Sequence, residues 1–155
     1  MRKRLVTPTV ELRVRGGGLD LEHAAVVEVT SEDKDFPVES AFASEEARGW
    51  RAEAPGPQTI RLIFDHPQRL RCVSLVFEED ETRRTQEFTL RWSSNDGSTF
   101  NEIVRQQWNF SPPDSIREVE EYQVDLYNVN VLELAIKPDI SGGGARASLT
   151  KLRLS

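Results

Sequence analysis

The side chains best suited to chemistry are few and widely spaced. In EEDETRRTQE, residues 78 to 87, Arg83 and Arg84 stand among acids. A planar guanidinium fork suits hydroxyl pairs, carboxylates or the acids of a partner protein. A solvated mixed-charge loop has the same composition, and its exposed pairs contribute little. Trp108, in RQQWNFSPPD, offers a ring that either stacks on a sugar or packs beneath a loop. Large aromatics mostly bury their area, which favours packing. The adjacent acids Glu45-Glu46 and Glu78-Glu79-Asp80-Glu81 would serve hydrolysis only with two carboxylates facing a cleft at a defined separation. No nucleophile, base and orienting group can be assembled from the chain, so no enzyme is expected.

Metal and redox chemistry are equally thin. His23 and His66 lack neighbours at ligand spacing, whereas zinc needs three or four converging ligands. Cys72 lies in an apolar run with nothing nearby to lower its pKa, and reads as an inert thiol. Neither Gly16-Gly17-Gly18 nor Gly142-Gly143-Gly144 is followed by Lys-Ser/Thr or placed between strand and helix, so they read as connectors and not phosphate cradles.

The elements that must position these residues have a period of two. Ile60, Leu62 and Phe64 alternate with Arg61 and Ile63; Phe88, Leu90 and Trp92 alternate with Thr89 and Arg91. Tyr122, Val124 and Leu126 repeat the pattern, as do Leu132, Leu134 and Ile136. Each is a half-buried strand. AAVVEVT, 24 to 30, and RCVSLVF, 71 to 77, are more apolar and fit central strands. In ASLTKLRL, 147 to 154, the apolar phase shifts between Leu149 and Leu152, which predicts a bulge or bend. Only EEARGW, 45 to 50, suits a helical turn, with Ser44 as N-cap. Turn signals fall at Pro55-Gly56-Pro57, His66-Pro67, Asn95-Asp96-Gly97, Pro112-Pro113, Lys137-Pro138-Asp139 and Gly142 to Gly144. Many short strands so punctuated predict an antiparallel β-sandwich or barrel.

The 155 residues suit a single domain, 1 to 155, in which 1 to 18 form either an extra strand or an arm ending in the glycine hinge. The formal net charge of -6 repels nucleic acid. No window is apolar enough to span a membrane. The basic start lacks an apolar h-region, and a lone cysteine forms no intrachain disulfide, so a cytoplasmic location is expected.

The order of these features resembles the galactose-binding-like jelly roll, the fold of discoidin or F5/8 type C domains and of many carbohydrate-binding modules. The resemblance covers about residues 24 to 155. It rests on an ordered run: AVVEVTSEDKDFPVESAF, GWRAEAPGPQTIRLIF, RLRCVSLVF followed by EFTLRWSSNDGSTFNEIV, then EYQVDLYNVNVLELAIKPDI and ASLTKLRLS. It implies a sandwich that binds through loops at one end, here 31 to 49 and 78 to 87, with 53 to 58 beside them. GWRAEAPGPQTI is most similar to the intracellular members that bind protein partners.

The resemblance implies non-catalytic carbohydrate recognition, with Glu45, Arg48, Arg83, Arg84 and Trp108 as the ligand-binding residues. The alternative is an intracellular protein–protein interaction subunit using the same loops. Many members hold a structural Ca²⁺, which needs six to eight oxygens. Glu39, Ser40 and Glu45 supply too few, and Lys151 stands near the place of the family's closing Glu, so calcium is not favoured and no cofactor is expected. Glycan or protein is the expected partner, in an oligomeric state that the sequence leaves open.

Overall fold

In the computed structural model, which describes residues 2–5, 25–43 and 48–155, the alternating segments are strands. They are β1 (Arg2–Leu5), β2 (Ala25–Val29), β3 (Trp50–Arg51), β4 (Gln58–Glu78), β5 (Arg84–Ser93), β6 (Asn101–Phe110), β7 (Arg117–Lys137), β8 (Ser148–Leu149) and β9 (Lys151–Leu154). Among the described residues the one helical piece is a 3-10 turn at Val38–Ala41. Ile60, Leu62 and Phe64 of β4 and Phe88 and Leu90 of β5 are buried, while Arg61, Ile63 and Thr89 between them are half-buried. Burying each large apolar side chain is worth about 1.5–3 kcal/mol. A slip of one residue would turn the whole set outward, so this pattern fixes the register.

The main sheet runs β1-β2-β4-β7-β5-β6, β9 adds to β4, and β3 pairs with β8. Described neighbours are antiparallel, apart from β1 and β2, which run parallel. The strands form an antiparallel jelly-roll β-sandwich, and the 21-residue strands β4 and β7 belong to both layers. The first part of β4 pairs with β2 and the end of β7; its last part pairs with β9 and the start of β7.

Between those parts the β4–β7 register shifts repeatedly from Ile63 to Cys72. His66-Pro67, expected as a turn, therefore lies inside a strand. Pro67 has no N–H to give the ladder, and nearby on β7 Asn128 adopts a φ of 57°. Both strands bend at one level, so the pair crosses between layers without reversing. For the same reason the runs 122–126 and 132–136 are one strand instead of two.

Trp50, Phe42, Phe77, Phe88 and Phe110 fill the core, and the Phe77 and Phe88 rings stack at 5.1 Å. Trp50 Nε1 donates to the Ser31 carbonyl at 3.0 Å. Trp92 and Trp108 are half-buried against this core. The phase shift in ASLTKLRL marks a change of partner: Leu149 pairs with Trp50, Thr150 N donates to the Val76 carbonyl, and Leu152 pairs with Leu75.

Ser94 to Gly97 reverses the chain between β5 and β6. Ser93 Oγ accepts the N–H groups of Asn95 and Gly97, and Asn95 Oδ1 accepts that of Thr99. Asp96 and Gly97 both take positive φ, 59° and 86°. Asp96 is locked to Asn130 by two hydrogen bonds of 3.0 Å.

Among the described residues no helix is long and apolar enough to cross a membrane. Residues 44–47, which carry Ser44 and the start of the expected helical turn, and 6–24, with the glycine hinge, lie outside the described residues.

Candidate functional site at one end of the sandwich

The loop after β2 is pinned to β3 before it reaches the rim. Asp33 N donates to the Arg51 carbonyl at 2.8 Å, and Arg51 N to the Phe36 carbonyl at 3.1 Å. Asp33 Oδ1 accepts Asp35 N at 2.9 Å, an Asx turn that presents Phe36. The Arg48 and Arg51 guanidiniums then stand over the Phe36 ring, 4.3 and 4.9 Å from its centroid. Such contacts are worth about 0.5–1 kcal/mol at exposed sites, and they fix both forks in place. Between Arg48 and Trp50, Gly49 lets the chain pass close to the Leu149–Thr150 backbone. A Cβ there would lie 2.6 Å from the Leu149 carbonyl oxygen, and its φ is +83°.

Across from the two arginines the end of β4 brings Glu78, Glu79 and Asp80. Together they border an open cavity of about 340 Å³, with Ile116 at its edge. Loops 31–49 and 78–87, expected to converge, therefore do so.

A buried lysine and a half-buried arginine hold the loop from behind. Lys3 Nζ meets Glu32 Oε1 at 2.9 Å and Glu39 Oε1 at 2.5 Å, and Glu32 Oε2 accepts Val38 N at 2.8 Å. Burial alone would lower the Lys3 pKa, but the hydrogen bonds and charges of Glu39 and Glu32 outweigh it and raise it. Arg153 Nη1 donates to the Ala41 carbonyl at 3.0 Å, and Nη2 to that of Ala43. Of the residues weighed for calcium, Glu45 lies outside the described residues. Glu39 is committed to an ammonium, and a guanidinium covers the neighbouring carbonyls. Among the described residues no group of three or more His, Cys, Asp or Glu is arranged to hold a metal.

The residues expected to bind a ligand do not gather. Arg48 lies on the rim cavity, and Glu45 lies outside the described residues. Arg83 is exposed beside a separate cavity of about 440 Å³ bordered by Asn109, Ser111 and Asp139. Trp108 is half-buried on β6, against the core. Arg84 corrects the expectation most clearly. It turns inward, 3% exposed, with Nε on Glu79 Oε1 at 2.7 Å and Nη1 on the Pro138 carbonyl at 2.8 Å. Its guanidinium also lies 4.7 Å from the centroid of the Phe110 ring. Its Nε and Nη1 are spent on the protein and its Nη2 is buried without a partner among the described residues, so it acts by holding Glu79 at the rim. Burial would raise the Glu79 carboxyl, but Arg84 and the N–H groups of Glu81 and Thr82 outweigh it and hold it below the usual range.

Behind Arg84 the polar chain continues inward. Arg84 Nη1 donates to Gln86 Oε1 at 3.3 Å, and Gln86 Nε2 to Glu118 Oε1 at 3.1 Å. Glu118 is fully buried; burial, with help from the Glu120 charge, pushes it up to about 7. Sequence reasoning missed Phe36, Arg51, Glu78 and Asp80 as a group. Only Asp33–Arg51 and Phe36–Arg51 pairing brings the first two together.

No protein-family model matches the chain, and no curated protein matches it. Solved structures do. A pectin-binding carbohydrate-binding module is similar at a TM-score of 0.57 and 16% identity, over 83% of this chain and 88% of the other. A Clostridium perfringens family 32 module in complex with GalNAc-β-1,3-galactose gives a TM-score of 0.61 and 17% identity, over 83% and 92%. A Ruminococcus gnavus fucosidase in complex with fucose gives 0.62 and 11%, over 84% of this chain but 25% of the enzyme. Identities this low carry the fold alone. On strand order, shared long strands and these neighbours, the chain has the galactose-binding-like jelly-roll fold.

Proposed function

We propose that the chain is a non-catalytic carbohydrate-binding module whose site is the rim cavity. The observation that carries this is the pair Arg48 and Arg51, held against Phe36 and facing the acids Glu78 and Asp80. Guanidinium forks donate to sugar hydroxyl pairs, and carboxylates accept their hydrogens. Two neighbours are described as binding pectin and GalNAc-β-1,3-galactose, which supports a glycan as ligand. Lys3 and Arg153 already engage Glu39 and the Ala41 carbonyl, which supports binding that does not depend on calcium.

The test is a glycan array followed by calorimetry on the hits. Arg48→Ala and Arg51→Ala each weaken binding by roughly tenfold, the range for a hydrogen bond to a charged group. A blank array across galactosides, fucosides and uronates removes this reading.

Ile116 favours a second reading. It is 41% exposed at the cavity edge, and both guanidiniums crowd the Phe36 ring, so the rim lacks a bare aromatic platform. An apolar residue ringed by mixed charge also suits a protein partner, as in a cytoplasmic adaptor. Stoichiometric recovery of one protein by the wild type, and its loss on Ile116→Asp, would favour the adaptor.

A further inference from the structure

On its outer face the main sheet carries a row of alternating charge. Backbone register places Glu28 beside Arg61, Arg61 beside Glu133, Glu133 beside Arg91, and Arg91 beside Glu102. Outer-face positions usually lie open, yet the Glu133 side chain is 4% exposed. Arg61 sends Nε and Nη2 to its Oε2, at 3.1 and 2.5 Å. Arg91 sends Nε to Oε1 at 2.9 Å, and its Nη2 to the same oxygen. The SNDG reversal returns Phe100 to this face, where its centroid lies 4.2 Å from Arg91 and 5.4 Å from Arg61.

Stability does not account for this arrangement. Glu133, the one buried member, recovers its desolvation cost poorly from two half-exposed partners, and a well-packed apolar residue of similar volume is often as good or better. What the triad does achieve is orientation. Glu133 occupies one edge of each guanidinium, and Phe100 limits their swing. Both arginine side chains remain 39% exposed, and Nη1 of each has no hydrogen-bond partner among the described residues. The triad keeps one excess positive charge. It lines a groove of about 520 Å³ with Glu28, Thr30 and Thr59. That volume is in the range of small-ligand sites.

We propose that this groove is a second binding site, for a carboxylate-bearing sugar unit. The free edges of Arg91 and Arg61 receive the carboxylate, since guanidinium forks match that geometry. Glu28, beside Arg61 on β2, and Thr30 lie at the end of the groove away from Arg91 and take the sugar hydroxyls; the Glu28 charge sets the direction by driving the carboxylate toward the Arg91 end. The site shares no residue with the rim, so it stands or falls separately from that reading.

The test is calorimetric titration of the full chain with tetragalacturonate, tetragalactose and sodium sulfate. Tetragalacturonate binds, and Arg91→Ala weakens it by roughly tenfold or more, the scale of one charge-assisted contact. Arg105→Ala, the same charge loss on exposed β6, changes the affinity less than twofold. As a readout free of substitution, the Arg61 and Arg91 Nε–Hε signals of the wild type shift on adding tetragalacturonate and stay still with tetragalactose. Absence of binding at millimolar tetragalacturonate overturns the proposal. So does equal affinity for sulfate, which makes the groove a simple anion site. Loss of binding in Arg48→Ala but not in Arg91→Ala also overturns it, by moving the acidic sugar to the rim.

Discussion

Replacing Glu118 with glutamine should make the protein more stable at pH 8 and leave it nearly unchanged at pH 5. Glu118 is fully buried, with a single hydrogen bond from Gln86. Burial and then the Glu120 charge raise its pKa; the Gln86 bond and the Arg84 charge pull it back only in part, to about 7. The unfolded chain releases this proton near the ordinary 4.5. The folded form therefore holds a proton that the unfolded form has lost, and stability falls as pH rises from about 4.5 to about 7. At 1.36 kcal/mol per tenfold, that gap amounts to about 3 kcal/mol in all. In Glu118→Gln the amide would carry no charge at any pH and keep a carbonyl for Gln86. Urea unfolding at pH 5 and pH 8 measures the difference. The wild type should lose roughly 2–3 kcal/mol between them and the variant less than about 1. Parallel losses in the two proteins would refute the buried, protonated carboxyl.

Arg84→Met should lower stability by about 3–5 kcal/mol, because it strands Glu79 and uncovers the Pro138 carbonyl; thermal melting should fall by roughly 10 °C for a chain of this size. Gly49→Ala should cost at least about 2 kcal/mol, since its Cβ would meet the Leu149 carbonyl at 2.6 Å in a left-handed conformation; an unchanged denaturation midpoint would contradict the close approach. Melting with EDTA and with millimolar calcium should coincide within about a degree, and a rise of several degrees with calcium would show that Lys3 and Arg153 do not exclude the ion.

Alternation revealed the strands because one face of each is buried and the other is not. It also held the answer for Arg84, which shares the phase of Gln86, Phe88 and Leu90, all buried. A charged side chain in the inward phase still reads as the end of a strand until its acceptors are visible. His66-Pro67 looked like a turn because proline interrupts a ladder, yet the irregularity in β7 at the same level lets the paired strands bend together. That coincidence belongs to two segments about 60 residues apart and has no local signal. Arg61, Arg91 and Glu133 each read correctly as outward strand positions. Their meeting depends on register across three strands, which no single run specifies. The rim loops were legible as regions, but the choice of Arg51 and Phe36 within them came from backbone bonds between loop and strand.

The strands β4 and β7 pass through both layers, so neither layer has a seam along which to part. Pulling the sheets from one another would have to tear the two longest ladders in the molecule lengthwise. Amide exchange should accordingly report one slow cooperative unit for these strands, with faster local opening confined to the loops at the rim. A ligand seated in those loops would be tethered to a body that does not deform when it is occupied. If the rim binds as proposed, such a body would hold its target in place with little change of shape within.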